Sequence, residues 1–365
     1  MVYRNLGVED VIKLAKDKTL ICFGAGQQLA SACEYLADMS FFDRIDLIAD
    51  NDNSKRAFSF NGKEKPVSSI EYCLKTAKKE PLVLITVADC LDIVRQLDEI
   101  PELDNCECYV YALLLDYVRP YRLPVGRAEK ESIKIPKTIH YCWFGGGPLR
   151  DDFKAYIETW KRHCPDYEIV RWDESSYDYK KNEHMCEAYK HKKWGFVPDY
   201  ARLDIIYNYG GVYLDTDVEL IRNIDDLLCD EAFCGFNYRT SINNGVGFGA
   251  VAGFPLILDQ LNAYDSLSFV NQDGSLNLKT GPSYQTELML SKGLVLNNTL
   301  QIIDGMTVYP SDVLSPLGLH TGWLSVTDNT HSIHHHSLTW LEKAQHTERD
   351  RVRKRFDSLA ERIGV

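Results

Sequence analysis

The chain has no CxxC pair, no N-terminal basic-plus-apolar leader and no apolar run approaching the roughly 18 residues of a bilayer-spanning helix. Its eleven cysteines are scattered singly and odd in number, which fits neither a disulfide framework nor a zinc site. They read as reduced thiols, and the expected location is the cytoplasm. Basic charge is also short: 41 Lys and Arg against 53 Asp and Glu leave a net charge of −12. That argues against general affinity for nucleic acid, which depends on neutralising phosphates. Any anionic ligand must be held by a local device. What is present is ordinary for a soluble globular protein, at 45% hydrophobic, 26% charged and 11% aromatic residues, and 365 residues suit two cores better than one.

The fold class reads as α/β. Over the first part, "TLICFGAG", "RIDLIAD", "PLVLITVAD" and "CECYVYALL" are short apolar runs separated by amphipathic stretches, the rhythm of a parallel sheet flanked by helices. Residues 121–137 turn polar and charged, with Pro124, Gly126 and Pro136 as breakers, so the spacing predicts a first domain over 1–125. A second strand and helix series then runs over 126–345, and 346–365 read as a basic amphipathic helix. Within the second series, Pro198 can open a helix and Gly210-Gly211 can end it. "PDYARLDIIYNY" is therefore expected to be a helix leading straight into the strand "VYLDTDV".

Strand alternation would send Tyr213, Asp215 and Asp217 to one face. Two carboxylates on one face repel unless protonated or bridged, and a hard divalent ion such as Mg²⁺ or Mn²⁺ is the natural bridge. An isolated D-x-D is more often a solvated strand end. Context strengthens the metal reading: Asp199 and Arg202 stand at i, i+3 on the preceding helix, where the alternative is a surface ion pair at a helix start.

The assembled run "PDYARLDIIYNYGGVYLDTDVEL" resembles the DXD signature of retaining glycosyltransferases that include capsular polysaccharide sugar transferases, yeast initiating mannosyltransferases and the clostridial glucosylating toxins. "IPKTIHYCWFGG" (135–146) looks like that family's first strand, and "HSIHHHSLTW" (331–340) like its closing segment. The resemblance implies a GT-A-type catalytic domain using a nucleotide-diphospho-sugar, UDP-sugar favoured and GDP-sugar next. The acceptor would be a glycan or lipid-linked glycan in surface polysaccharide synthesis, and the ion Mn²⁺ or Mg²⁺. It implies Asp217 as the direct metal ligand and Asp215 as shared between ribose and metal. His334 is implied as the third metal contact, with His335 and His336 as competitors. Asp199 and Arg202 would hold the transferred sugar and, with the two acids, form the catalytic set. Trp143 would stack on the base, against the alternative of a core tryptophan. Tyr213, Asn243, Asn244, Thr339 and Trp340 complete the donor side, and Thr280 and Gly281 would border the acceptor. A glycoside hydrolase and a non-catalytic nucleotide-sugar sensor are the rival readings.

In the first domain, "LICFGAGQQLA" leaves a strand and opens a helix as a Rossmann phosphate loop would, with Asp50 closing the next strand. Leu29 stands where the third glycine belongs. Gly24, Gly26 and Asp50 are the candidate nucleotide site of a domain resembling the Rossmann-like domains attached to bacterial sugar-modifying enzymes; a docking domain is the alternative. At the other end, Val352, Phe356, Leu359 and Ile363 form one helical stripe among basic residues. Such a helix could rest peripherally on the inner face of an anionic membrane, or pack on the catalytic domain.

Overall fold

A computed structural model describes residues 1–319, 321–337, 350, 351, 353, 354, 356 and 359. Two compact units emerge. One comprises Met1–Arg119 with 321–323 and the described residues from 350 onward, the other Pro120–Leu319 with 324–337. Thr339 and Trp340 lie outside the described residues, as do Val352 and Ile363.

Among the described residues the first unit carries a seven-stranded sheet in the order Val2–Tyr3, Glu107–Val110, Pro81–Ile85, Thr19–Phe23, Leu47–Ala49, Lys63–Ser68, Ala57–Phe60. All neighbours run parallel except the last two strands. Those are joined by Asn61-Gly62, both at positive φ, the two-residue turn whose twist suits a hairpin. Alternate residues of the central strands feed opposite cores. Leu20, Cys22, Leu82 and Leu84 enter one, and Ile21, Phe23, Val83 and Ile85 the other. Sheets buried on both faces need such continuous apolar runs. Phe356 and Leu359 are buried in the second of these cores, so half of the predicted C-terminal stripe is taken up by the first unit. No helix among the described residues is long and apolar enough to cross a membrane.

The loop after Thr19–Phe23 needs its first glycine. Gly24 sits at φ +115°, and a Cβ there would lie 2.5 Å from Val87 Cγ2 and 2.8 Å from the Thr86 carbonyl oxygen. Gly26 caps the helix Gln27–Tyr35. Asp50 Oδ2 accepts the Ala25 N–H at 2.7 Å and pairs with Lys55 Nζ at 2.7 Å. As placed, this carboxylate holds its own loop together.

The second unit's main sheet runs Gln301–Ile303, Met306–Tyr309, Ala232–Tyr238, Phe248–Ala250, Gly211–Tyr213, Thr138–Cys142, Glu168–Trp172. The last three strands are parallel to one another, and Phe248–Ala250 runs antiparallel between its neighbours. The helix Pro198–Tyr209 matches its expected bounds. Pro198 opens it, and Gly210 ends it at φ +68°. A Cβ on the next residue, Gly211 at φ +94°, would come 2.7 Å from the Thr138 carbonyl oxygen, so this close strand entry needs glycine. The helix is buried on most sides, with Asp199 and Arg202 on one face. On another, Asp204 accepts from Tyr177 Oη at 2.8 Å and pairs with Lys181 at 2.6 Å.

Candidate active site

"VYLDTDV" is two short strands rather than one. Gly211–Tyr213 ends, residues 214–217 turn, and Val218–Leu220 begins after the Val218 N–H bonds back to the Asp215 carbonyl at 3.1 Å. Asp215 and Asp217 therefore converge through a turn, not through strand alternation. Val218–Leu220 leaves the main sheet and pairs antiparallel with Ser332–His334, Val218 opposite His334. This remote pairing carries the histidine to the acids.

Single ligand atoms from Asp215, Asp217 and His334 lie within 4.8 Å of one another. His334 Nε2 is 3.2 Å from Asp217 Oδ1, and the Ser337 backbone N–H donates to Asp217 Oδ2 at 2.7 Å. Burial alone would raise the Asp217 pKa, but His334 and the Ser337 N–H hold it well below the usual carboxylate range. His334 moves the opposite way, since the neighbouring carboxylate overcomes the depression that burial causes. Asp215 is raised, chiefly by burial against the pull of Arg202. The other two histidines are engaged elsewhere. His335 bonds Glu219 at 2.9 Å and stacks on Tyr156, and His336 bonds the Leu317 carbonyl at 2.9 Å.

Arg202 joins the acid pair to the helix. Its Nη2 is 3.0 Å from Asp199 Oδ1 and 3.7 Å from Asp215 Oδ1, Nε donates to the Pro198 carbonyl at 3.2 Å, and the guanidinium lies over the Tyr213 ring at 5.2 Å. Burial pushes the Asp199 carboxyl up to about 6 despite this cation. Tyr213 itself is 1% exposed and bonds Asp215, so it acts on the site from beneath and offers no free surface to a donor.

A recess is lined by Asp199, Arg202, Asn243, Asn244, Tyr264 and Gly281, among others. Gly281 stands on the wall of that recess. Residues 281–291 form a helix, and the Gly281 N–H donates to Asp199 Oδ2 at 3.1 Å. Thr280 precedes that helix, its Oγ1 3.1 Å from Ser283 Oγ. Asn243 Oδ1 accepts the Gly245 N–H at 2.7 Å. Trp143 is half-buried, edge-on to Phe153, with its indole N–H bonded to the Gly147 carbonyl at 2.7 Å.

Sequence reasoning missed three contributors: the Ser337 backbone amide, and Gln260 and Gln285, which line the same recess. The glutamines sit 16 and 41 residues from Asn244, and no local pattern marks them. It also missed Gly245, whose absent Cβ leaves room for Asp215: a methyl there would run into Asp215 Oδ2 and stand 3.1 Å from Arg202 Nη1. Gly245→Ala is expected to leave the fold intact while displacing that carboxylate. Sub-ångström to 1 Å misplacement at a reacting centre costs about 100-fold, measurable as kcat/KM beside an unchanged far-ultraviolet spectrum.

Residues 150–234 match the family described as "Glycosyltransferase sugar-binding region containing DXD motif". Over this stretch the chain is similar to the DXD glycosyltransferases. Among curated proteins, the chain is 29% identical over 152 residues to inositol phosphoceramide mannosyltransferase 3 of Schizosaccharomyces pombe, covering 39% of this chain and 40% of that one. It is 29% identical over 147 residues to the mannosyl phosphorylinositol ceramide synthase SUR1 of Saccharomyces cerevisiae, covering 37% of each. The chain thus spans about two fifths of the length of these relatives. Among solved structures, PaToxG glycosyltransferase aligns at TM-score 0.35 and 19% identity over 46% of this chain and 72% of that one. A glycosyltransferase involved in glycosylation of the major capsid of PBCV-1 aligns at TM-score 0.31 and 10% identity over 60% and 99%. Neither superposition is close enough to carry an argument. The DXD region contains Asp199, Arg202, Asp215 and Asp217, and the third member of the triad, His334, lies outside it.

Proposed function

We propose that the second unit is a GT-A-type glycosyltransferase moving a hexose, with retention of configuration, from a nucleotide-diphospho-sugar to a hydroxyl of a glycan or lipid-linked glycan. The observation that carries the reading is the Asp215, Asp217 and His334 triad standing beside a recess walled by Asp199 and Arg202. The donor set suits a hard divalent ion, Mn²⁺ or Mg²⁺: two carboxylates and an imidazole whose buried Nδ1 has no partner among the described residues. Such an ion, when bound, offsets the negative charge that develops on a departing diphosphate.

The chain's own groups do the remainder. Arg202 presents a buried, permanently charged guanidinium, so it can hold a donor oxygen while keeping Asp199 and Asp215 in place. Asp199 is acceptor-only when ionised, and accepts sugar hydroxyls. Its existing bonds to Gly281 and Arg202 favour a binding role over a nucleophile. The resulting chemistry is front-face displacement, in which the leaving phosphate takes the acceptor's proton.

UDP-sugars lead the proposal. GDP-mannose belongs in the same screen, since the yeast relatives are named as mannosyltransferases of inositol phosphoceramide. Surface-glycan assembly at the cytoplasmic face of a membrane is the setting we favour. Contact there would rest on exposed charge such as Lys354, because Phe356 and Leu359 are buried.

A panel of UDP- and GDP-sugars with Mn²⁺, read by donor hydrolysis and thermal stabilisation, tests the reading. Absence of any response overturns it. Stabilisation without turnover indicates a sensor, and turnover insensitive to EDTA indicates a glycoside hydrolase.

The triad also sets a pH dependence. His334 must lose its proton to ligate, and its pKa is raised by Asp217, so protons compete with the metal until pH passes that raised value. Mn²⁺ affinity is expected to strengthen by about tenfold per pH unit on the acid side and then level off. Calorimetric titration between pH 5.5 and 8.5 reads this directly, and a flat profile would remove His334 from the ligand set.

A further inference from the structure

The recess holds an amide relay whose direction is fixed at one end. The backbone N–H of Asn244 can only donate, and it donates to Gln285 Oε1 at 2.9 Å. That sets the flip of Gln285, whose Nε2 then donates to Asn244 Oδ1. Asn244 is set in turn, and its Nδ2 donates to Gln260 Oε1 at 2.9 Å. Among the described residues the Gln260 Nε2 has no partner, although the residue is 3% exposed and lines the recess with Asp199 and Arg202. Three buried amides from three separate segments thus end on one unmet donor group. A buried unmet N–H is destabilising, a cost a bound ligand atom removes.

We propose that Gln260 Nε2 donates to a ring hydroxyl of the transferred sugar, and that Asn244 and Gln285 orient it to do so. This rests on the sugar-transfer reading of the same recess. Asp199 lines the recess too, as a hydrogen-bond acceptor. A hydroxyl is the sugar substituent that satisfies both walls at once, accepting from Gln260 and donating to Asp199. The site therefore selects a hexose bearing a free hydroxyl at that position and rejects its deoxy analogue. Gln260 is a specificity-determining residue, and Gln285 a positioning one.

The test uses the full-length protein with Mn²⁺ and whichever of UDP-glucose, UDP-galactose or GDP-mannose it hydrolyses, together with the monodeoxy analogues of that sugar. In the wild type, one deoxy position should lower kcat/KM by about 100-fold or more, because sites that bond a hydroxyl strongly disfavour its absence. In Gln260→Met, of similar volume, that analogue should fall within about threefold of the parent sugar. Gln285→Glu provides an independent arm that leaves Gln260 in place. The new carboxylate can accept from both Asn244 N–H groups, which turns Asn244 over, makes Gln260 Nε2 donate to Asn244 Oδ1 and leaves Oε1 facing the recess. The deoxy penalty should then shrink at least tenfold. A penalty unchanged in either folded variant overturns the proposal and leaves Nε2 bonded to a water only. If the wild type responds to no nucleotide sugar, the functional reading falls and this inference with it. If it responds normally but shows no deoxy penalty, the inference alone falls.

Discussion

Asp217→Asn is expected to abolish Mn²⁺-dependent thermal stabilisation and to cut donor turnover by about 1,000-fold, the scale seen when one group stabilising transition-state charge is removed. The substitution keeps the side chain's size. Its amide can still accept the Ser337 N–H, which now comes to Asp217 Oδ2 at 2.7 Å. What disappears is the charge that raises the His334 pKa and that would face the ion. A metal present at 100 times its dissociation constant stabilises the folded state by about 2.7 kcal/mol. For a unit of this size that corresponds to roughly 5–10 °C in melting temperature, absent from the mutant. A mutant that still gained that stabilisation would separate metal binding from the acid pair and undo the assignment of the site.

Arg202→Met should act on stability as well as activity. Arg202 is buried between Asp199 and Asp215, and removing it leaves two carboxylates without their shared counter-charge. Breaking a buried pair typically costs 3–5 kcal/mol. Asp215 keeps a 28% exposed side chain and can recruit water, so the lower end applies, about 3 kcal/mol or near 10 °C. The loss depends on pH with a definite sign. Burial already pushes Asp199 up to about 6, and without the guanidinium it rises further. A group whose folded pKa lies above its unfolded value contributes stability below the unfolded value and loses it as pH rises through the folded one. The mutant should therefore be closest to wild type in mild acid and furthest from it at pH 8. Thermal melts from pH 5 to 8.5 check this, and a deficit that grew toward acid would contradict the charge argument.

These expectations rest on a site whose parts were unequally legible. The helix Pro198–Tyr209 could be bounded from its sequence because both ends carry backbone chemistry: a proline that fits the first turn and a glycine that takes positive φ. The strand after it could not be read correctly from the same stretch. No glycine or proline interrupts "VYLDTDV", yet the chain turns at 214–217 because Val218–Leu220 pairs with Ser332–His334, far along the chain. Local periodicity carries no record of such a partner. The same reason explains the C-terminal stripe. Its spacing announces a buried face, and says nothing of what covers Phe356 and Leu359. Gln260 and Gln285 were invisible for a different reason, since each looks like an ordinary polar residue on a helix until three segments meet at Asn244.

The first unit contains an order-of-synthesis problem. Most of its sheet leaves the ribosome early, but Thr321, which donates to Asp116 at 2.6 Å, and the core residues Phe356 and Leu359 emerge after almost the whole second unit. Begun first, it is finished last. During translation it must wait with part of one core face uncovered while the second unit is made. A gene fragment cut at the apparent border near residue 119 would make that waiting state permanent.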